Sequence, residues 1–456
     1  MWGRSVVHRA TQPPHTVPIS PVQGCIEAVL KLVLRRLAVD GPYWTLFLGE
    51  RRSKMLHIEK LKQANALDRR SPFHDRMAAQ GAQFGLSSGW AHPLWFDLDS
   101  AGPSVRHRSH EQEHRATREA VGLYDVSLLS HVLVIGSDAT KVLNWLSTSE
   151  MDVALGRAIY TQWCDVNGMT LNDLIVVRQD HDRYLLVVGD TIQERTLEMV
   201  QAAIDKLSAS AFIVDITSGL SLLSVAGPLA REVLQPLIAE SLSNASFPNM
   251  TCQDVSFGDV PVTAMRVSFT GEMTWELHVG AEYAPAIYEQ LSEVVVEAGG
   301  RLCGFDAIYS CGTEKGCLDY DYNLDESVTP LEAGIGFTIA WDKPGGFCGR
   351  DALLAQRATG PTTTRLLYVC ADDSLSRFGA HDELIRNHDV VGRNSMATYG
   401  FTVGAMIAVA KVHCQDGVTH QWLNDGTWAV RTGTGDVPVS VSTEVLYDRQ
   451  RARANG

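Results

Sequence analysis

The segment Gly156–Arg178, GRAIYTQWCDVNGMTLNDLIVVR, turns through a Gly-containing loop, places a carboxylate at Asp173 and then enters an apolar β run. A carboxylate held on a rigid strand and partly withdrawn from water has its position and proton affinity tuned together. That prepares it to accept or relay a proton from a nitrogen-bearing substrate. An Asp also commonly ends a turn by accepting hydrogen bonds from local backbone amides. Residue type alone leaves both readings of Asp173 open.

The elements that must hold such a residue are short. HVLVIG at 131–136, DLIVVR at 173–178, YLLVVG at 184–189, AFIVDI at 211–216 and LSLLSVAG at 220–227 are apolar runs, mostly rich in β-branched residues, and predict strands. DATKVLNWLST at 138–148 predicts a helix capped by Asp138, with Val142, Leu143 and Leu146 on one face. Similar spacing recurs at 191–205 and 283–299. Strand and helix units repeat around 118–205 and 211–300, which predicts an α+β fold of two similar lobes. A β-rich tail from about 362, with RLLYVC, RNHDVVG and WAVRTGTGDVPVSV, predicts a small barrel.

Composition narrows the class. The chain has 456 residues, 45% of them hydrophobic, enough for about three domains with sizeable cores. Its 39 basic and 53 acidic side chains give a formal charge of −14. That excess, with no basic stripe, argues against sequence-independent nucleic-acid binding. No run approaches the roughly 20 apolar residues needed to span a bilayer. The nine cysteines form no CxxC pair and read as reduced thiols. Cys303, Cys311 and Cys317 lack a nearby His to complete a zinc spacing, so no metal is expected. Residues 1–26 carry Arg4, His8, Arg9 and His15 and no acid, the charge sign of a transit peptide, although Pro13, Pro14, Pro18 and Pro21 disfavour a long helix there.

Gly156–Arg178 resembles the folate loop of the aminomethyltransferase family, the T-protein of the glycine cleavage system, in which a Gly-rich turn leads to an Asp followed by Leu-Ile-Val. SFTGEMTWELHV at Ser268–Val279 resembles the family's (Tyr/Phe)-Thr-Gly-Glu loop, followed by a glutamate on the next strand. REAVGLYDVS at Arg118–Ser127, TPLEAGIGFTI at Thr329–Ile339, GRDALL at Gly349–Leu354 and VVGRNSMATYGFTVGAMIAVAKV extend the likeness over roughly 70–445. RSPFHDRMAAQGAQFGLSSGWAHPLWF, Arg70–Phe96, is similar to the connector of dimethylglycine and sarcosine dehydrogenases and of the pyruvate dehydrogenase phosphatase regulatory subunit, where it joins a flavin domain to a folate half. About seventy residues precede it here and no GxGxxG occurs, so neither a flavin domain nor FAD is expected.

The resemblance implies two α+β lobes and a C-terminal β-barrel around a central folate channel. It implies an N-terminal extension over 1–69, a connector over 70–110, a folate-binding domain over 111–345 and a barrel domain over 346–456. Asp173 falls on the family's catalytic acid and Glu276 on its pterin-binding carboxylate. Phe269, Gly271 and Tyr160 fall on the remaining walls of a tetrahydrofolate site. One buried glutamate can accept two pterin N–H groups while an aromatic ring covers a face of the pterin. The helix SCGTEKGCLDYDYNL at 310–324 departs from the family pattern, with Gly312 for an arginine and Cys317 for an aromatic, while Glu314 and Lys315 read as a surface pair.

Three functions are consistent with these residues. The first is a tetrahydrofolate-dependent aminomethyl or methyl transferase. The second is a non-catalytic folate-binding or regulatory module, and the third a folate-dependent demethylase. The expected partners are a small one-carbon donor and either a separate flavoprotein or a lipoyl carrier protein. The connector aromatics Trp90, Trp95 and Phe96 would either stand exposed without such a cover or pack on their own domain. The relatives imply the mitochondrial matrix, with the cytoplasm as the alternative.

Overall fold

The connector region folds back onto its own chain. In the computed structural model, which describes residues 68–97, 105–320 and 322–456, it forms β1 (Arg69–Arg70), α1 (His74–Ala79), β2 (Ala82–Ser87) and β3 (Trp90–Phe96), with β3 central in a three-stranded sheet. Trp90 and Phe96 are buried in the chain's own cores and Trp95 is half-buried. Of the two readings of these aromatics, packing on their own domain is the one the structure shows. The expected transit segment and the helical stretch after it lie outside the described residues, which all belong to one unit, Ala66–Gly456.

A helix absent from the sequence reading follows, α2 (Val105–Glu119). Its buried positions are Ser109, Glu113, His114, Ala116, Thr117 and Arg118, so the face turned inward is polar and shows no apolar period. Next come β4 (Gly122–Asp125), β5 (Ser130–Ile135), α3 (Ala139–Leu146), β6 (Ala158–Cys164), β7 (Thr170–Asp180), β8 (Arg183–Val188), α4 (Gln193–Leu207) and β9 (Phe212–Asp215). On α3, Ala139, Val142, Leu143 and Leu146 are buried, the i, i+3, i+4, i+7 stripe of a helix lying on a sheet. Burying each of the larger side chains contributes about 1.5–3 kcal/mol. Asp138 does not cap this helix; its Oδ2 accepts from the Ser210 amide at 2.7 Å and ties the helix start to the strand β9 approach.

The chain continues through β10 (Leu220–Ala226), α5 (Ala230–Leu234), β11 (Thr251–Phe257), β12 (Val260–Arg266), β13 (Thr274–Gly280), α6 (Ala284–Glu297), β14 (Arg301–Cys303) and α7 (Phe305–Lys315). The two sheets do not follow the predicted division at 205–211. One sheet runs β6-β7-β8-β5-β9 and the other β11-β12-β13-β10-β4-β14, so each takes one strand from the other's stretch of sequence. β4 is buried at all four residues and lies between β10, antiparallel, and β14, parallel. A short apolar run advertises burial but not its partner, which is why sequence order misassigned both strands.

After α8 (Pro330–Ala333) and α9 (Arg350–Ala358), the strands β15 (Thr364–Ala371), β16 (Glu383–Arg386), β17 (Asp389–Gly400) and β18 (Ala405–His413), the helix α10 (His420–Asn424), and β19 (Trp428–Thr432) and β20 (Gly435–Ser442) form the last layer. They close a six-stranded barrel in the order β15-β18-β17-β16-β19-β20, with β20 returning to β15. Closure removes the exposed edges that an open sheet of this size would carry. The fold is thus α+β with a C-terminal barrel, as predicted. A final short helix, α11 (Ala452–Asn455), leads back to the first layers.

Candidate functional site

The hairpin of β6 and β7 separates the two readings of its acids. Asp165 performs the local turn role, accepting from the Asn167 and Met169 amides at 2.8 Å each. Asp173 instead faces groups distant in sequence. Its Oδ2 accepts from the Tyr160 hydroxyl at 2.9 Å and its Oδ1 from the Tyr320 amide at 3.2 Å. Tyr160 and Gln162 share a face of β6, and Gln162 stands directly opposite Asp173 in the ladder. Burial, and then the charge of Asp173, hold the Tyr160 phenol well above its usual range, so it stays protonated and donates. The Gln162 side chain is buried, with its nitrogen beside the Tyr160 hydroxyl and its oxygen accepting from Thr338 Oγ1 at 2.5 Å.

Glu276 lies on β13, opposite Ser224 of β10 and Met265 of β12. It is half-buried, and no hydrogen bond or ion pair reaches its carboxyl among the described residues. Burial alone pushes it up to about 8, so it is largely protonated at neutral pH. The two sheets meet beside it. The Ala158 amide donates to Met250 O at 3.0 Å, the Cys252 amide to Gly156 O at 2.7 Å, and Met265 packs in one cluster with Ala158 and Val177. Glu276 and the Asp173 pair therefore sit on sheets joined at a seam, without a hydrogen bond between them. His278, on the same face of β13 as Glu276, meets His131 of β5 with ring nitrogens 3.0 Å apart.

Phe269 and Gly271 occupy the loop before β13. A Cβ on Gly312 would lie 2.4 Å from Phe269 Cε1, so the Phe269 ring fills the space in which α7 would carry a side chain. The departure at Gly312 is thereby explained as room for Phe269, which also meets Tyr309 edge-on at 6.4 Å. Gly271, at φ +84°, presses its Cα against the Lys315 stem, where a Cβ would come within 2.6 Å. Cys317 follows the end of α7, and burial lifts its thiol to about 11.

The loop and α7 are fixed by a group the sequence reading missed as a site component, Arg118 of α2. Its guanidinium, 4% exposed, donates to Thr270 O at 2.7 Å, Glu272 Oε1 at 3.0 Å, Cys311 O at 3.0 Å and Glu314 Oε2 at 2.9 Å. Glu314 is fully buried, and Lys315 bonds Asp448 Oδ2 at 2.6 Å. This corrects the reading of these two residues as a surface pair. Burial works against ionisation of Glu314, but His114 and Arg118 beside it bring it down to about 2. Burial likewise opposes charge on His114, and the Cys311 sulfur and Glu314 more than offset it, raising His114 to about 9. From the tail, the Tyr447 ring covers Arg118 at 4.0 Å and its hydroxyl donates to Glu272 at 2.7 Å, and Arg453 reaches the other Glu272 oxygen at 3.1 Å. Arg118 lies in the quoted REAVGLYDVS, but its acids stand in other motifs, and nothing in the sequence pairs them.

Comparison with known proteins gives these residues a context. The family model described as GCVT N-terminal domain matches residues 73–343. The aminomethyltransferase of Symbiobacterium thermophilum is 30% identical over 347 residues, covering 75% of this chain and 89% of that protein. The 4-methylaminobutanoate oxidase (formaldehyde-forming) of Paenarthrobacter nicotinovorans is 30% identical over 85% of this chain, and the mitochondrial sarcosine dehydrogenase of Homo sapiens 28% identical over 82%. The chain spans about half the length of those two relatives, 47% and 45%. The glycine cleavage system aminomethyltransferase T from Bartonella henselae superposes with a TM-score of 0.72 at 20% identity, over 84% of this chain and 99% of that one, which is a likeness of fold.

Proposed function

Since the chain belongs to the aminomethyltransferase family, we propose that it carries out tetrahydrofolate-dependent one-carbon transfer, in the manner of the folate half of the dehydrogenases it resembles. The observation that carries this reading is Glu276, a half-buried carboxyl on a fixed strand that has no partner among the described residues. Leaving such a group unpaired costs about 1–3 kcal/mol, which a ligand with matching N–H donors recovers. The donor set fits a reduced pterin. Glu276 would accept two of its N–H groups, Phe269 would cover a face, and Gly271 would let the loop lie close. Tetrahydrofolate supplies the nitrogens that carry the one-carbon unit. The chain's own part in the chemistry is proton handling at Asp173, whose oxygens are oriented by Tyr160 and the Tyr320 amide. The buried Gln162 amide across the ladder is a second polar contact for whatever binds there. By analogy with the relatives' names, the donor would be an N-methyl amine bearing a carboxylate, which a separate flavoprotein first oxidises by two electrons to the iminium whose methylene group tetrahydrofolate takes up as the amine leaves.

Calorimetric titration of tetrahydrofolate into the purified protein and its Glu276→Gln variant tests the reading. Micromolar binding that weakens in the variant supports it, and no binding by folded wild-type protein rejects it. Binding without turnover of any carboxylated N-methyl amine, in the presence of an electron acceptor and a partner flavoprotein, would favour the regulatory module.

A further inference from the structure

The tail that covers Arg118 also holds a cation beside the Asp173 hairpin. On one side of Arg451, the Tyr447 amide donates to Glu314 O at 2.9 Å, and Asp448 takes two bonds from Lys315 at 2.6 and 2.7 Å. On the other side, Arg453 Nη2 donates to Arg118 O at 2.7 Å. Arg451 itself has φ +55°, a left-handed conformation that a non-glycine residue adopts at a cost of about 1–2 kcal/mol, so the anchors on both sides fix where its side chain starts. Its guanidinium lies 4.8 Å over the ring of Phe337, and no carboxylate pairs with it among the described residues.

Phe337 is an aromatic that is 66% exposed, and its chain neighbour Thr338 bonds Gln162, the residue facing Asp173. Arg451 is also close enough to Cys317 to stabilise that thiol's charged form, and Cys317 in turn lies within electrostatic reach of Tyr160. An exposed aromatic with an exposed guanidinium stacked on it, paired with no carboxylate among the described residues, thus stands at the rim of the site. Guanidinium presents paired donors suited to a carboxylate.

We propose that Arg451, held on Phe337, binds the carboxylate end of a ligand of this site. The inference rests on the folate reading above, under which that carboxylate has two sources, the glutamate tail of tetrahydrofolate and the carboxyl group of an N-methyl amino acid donor. The test is calorimetry of wild type, Arg451→Gln and Arg451→Lys with tetrahydrofolate, with tetrahydropteroate, which lacks the glutamate, and with N-methylglycine titrated into folate-loaded protein. Loss of roughly fivefold in tetrahydrofolate affinity in Arg451→Gln, with tetrahydropteroate unchanged, assigns the folate tail. An equal loss confined to N-methylglycine assigns the donor. In either case Arg451→Lys recovers part of the loss, and 0.5 M salt weakens wild type more than Arg451→Gln. Unchanged affinities for all three probes, or equal weakening of both pterins, overturns the proposal. Failure of wild type to bind tetrahydropteroate sinks the folate reading itself and this inference with it.

Discussion

Raising the pH tightens folate binding if Glu276 is the pterin acceptor. In the empty site burial holds this carboxyl at about 8. Two N–H donors require the ionised form, so binding below pH 8 carries the cost of removing a proton. The apparent Kd scales as one plus ten to the power of the free pKa minus the pH, a factor of about 11 at pH 7 and about 1.1 at pH 9. Affinity therefore rises about tenfold between pH 7 and pH 9, or ~1.4 kcal/mol. Binding at pH 7 releases roughly 0.9 proton per site, and at pH 9 roughly 0.1. Calorimetry in two buffers of different ionisation enthalpy reads both quantities, and Glu276→Gln removes both. A wild-type affinity that is flat over this range with no net proton release would show that Glu276 is not the acceptor.

Replacing Asp173 by Asn lowers turnover by about 10²- to 10⁴-fold while tetrahydrofolate affinity stays within about threefold, read by coupling 5,10-methylene-tetrahydrofolate formation to its dehydrogenase. An undiminished rate would remove Asp173 from the chemistry. Gly312→Ala lowers the melting temperature despite the better helix propensity, because the added methyl meets Phe269, and the cost is about 1–3 kcal/mol. Phe269→Ala in the same chain relieves it. Glu314→Gln leaves His114 buried without its anion and Arg118 with Glu272 alone, and costs about 3–5 kcal/mol in a denaturant titration. His114, raised from 6.5 to about 9, contributes stability that is full below pH 6.5 and lost as pH rises through 9. Glu314, lowered from 4.5 to about 2, contributes stability present above pH 4.5 and lost as pH falls through 2. Melting temperature against pH shows both flanks in wild type and neither contribution in the double variant His114→Gln, Glu314→Gln.

What could be read in advance tracks the physical origin of each element. Strands such as Leu220–Ala226 and helices such as Ala139–Leu146 announce themselves because water selects their apolar faces. The helix Val105–Glu119 did not, since its inward face carries His114 and Arg118, whose burial is compensated by charges nearly 200 residues away. At the site, Asp173 and Tyr160 were legible together because one hairpin holds them, and the register places the hydroxyl at the carboxylate. The Tyr320 amide and Arg451 were not, because each arrives from a different element; the Gln162 side chain, though on the same hairpin, was not because its role depends on packing against Thr338. Gly312 read as a loss in the sequence. In space it is half of an exchange, with Phe269 as the other half.

The cluster around Arg118 bears on how the chain is made. Arg118 and Arg453 are 335 residues apart, yet the second bonds the backbone of the first, and Tyr447 must arrive before the guanidinium has its covering ring. Until that segment leaves the ribosome, a lobe that closed early would trap ions lacking part of their shell. The shell around Arg118 is therefore complete only once Tyr447 and Arg453 have been made. A chain cut short of Tyr447 would keep Arg118 and Glu272 but lack the ring and the second guanidinium that complete their shell.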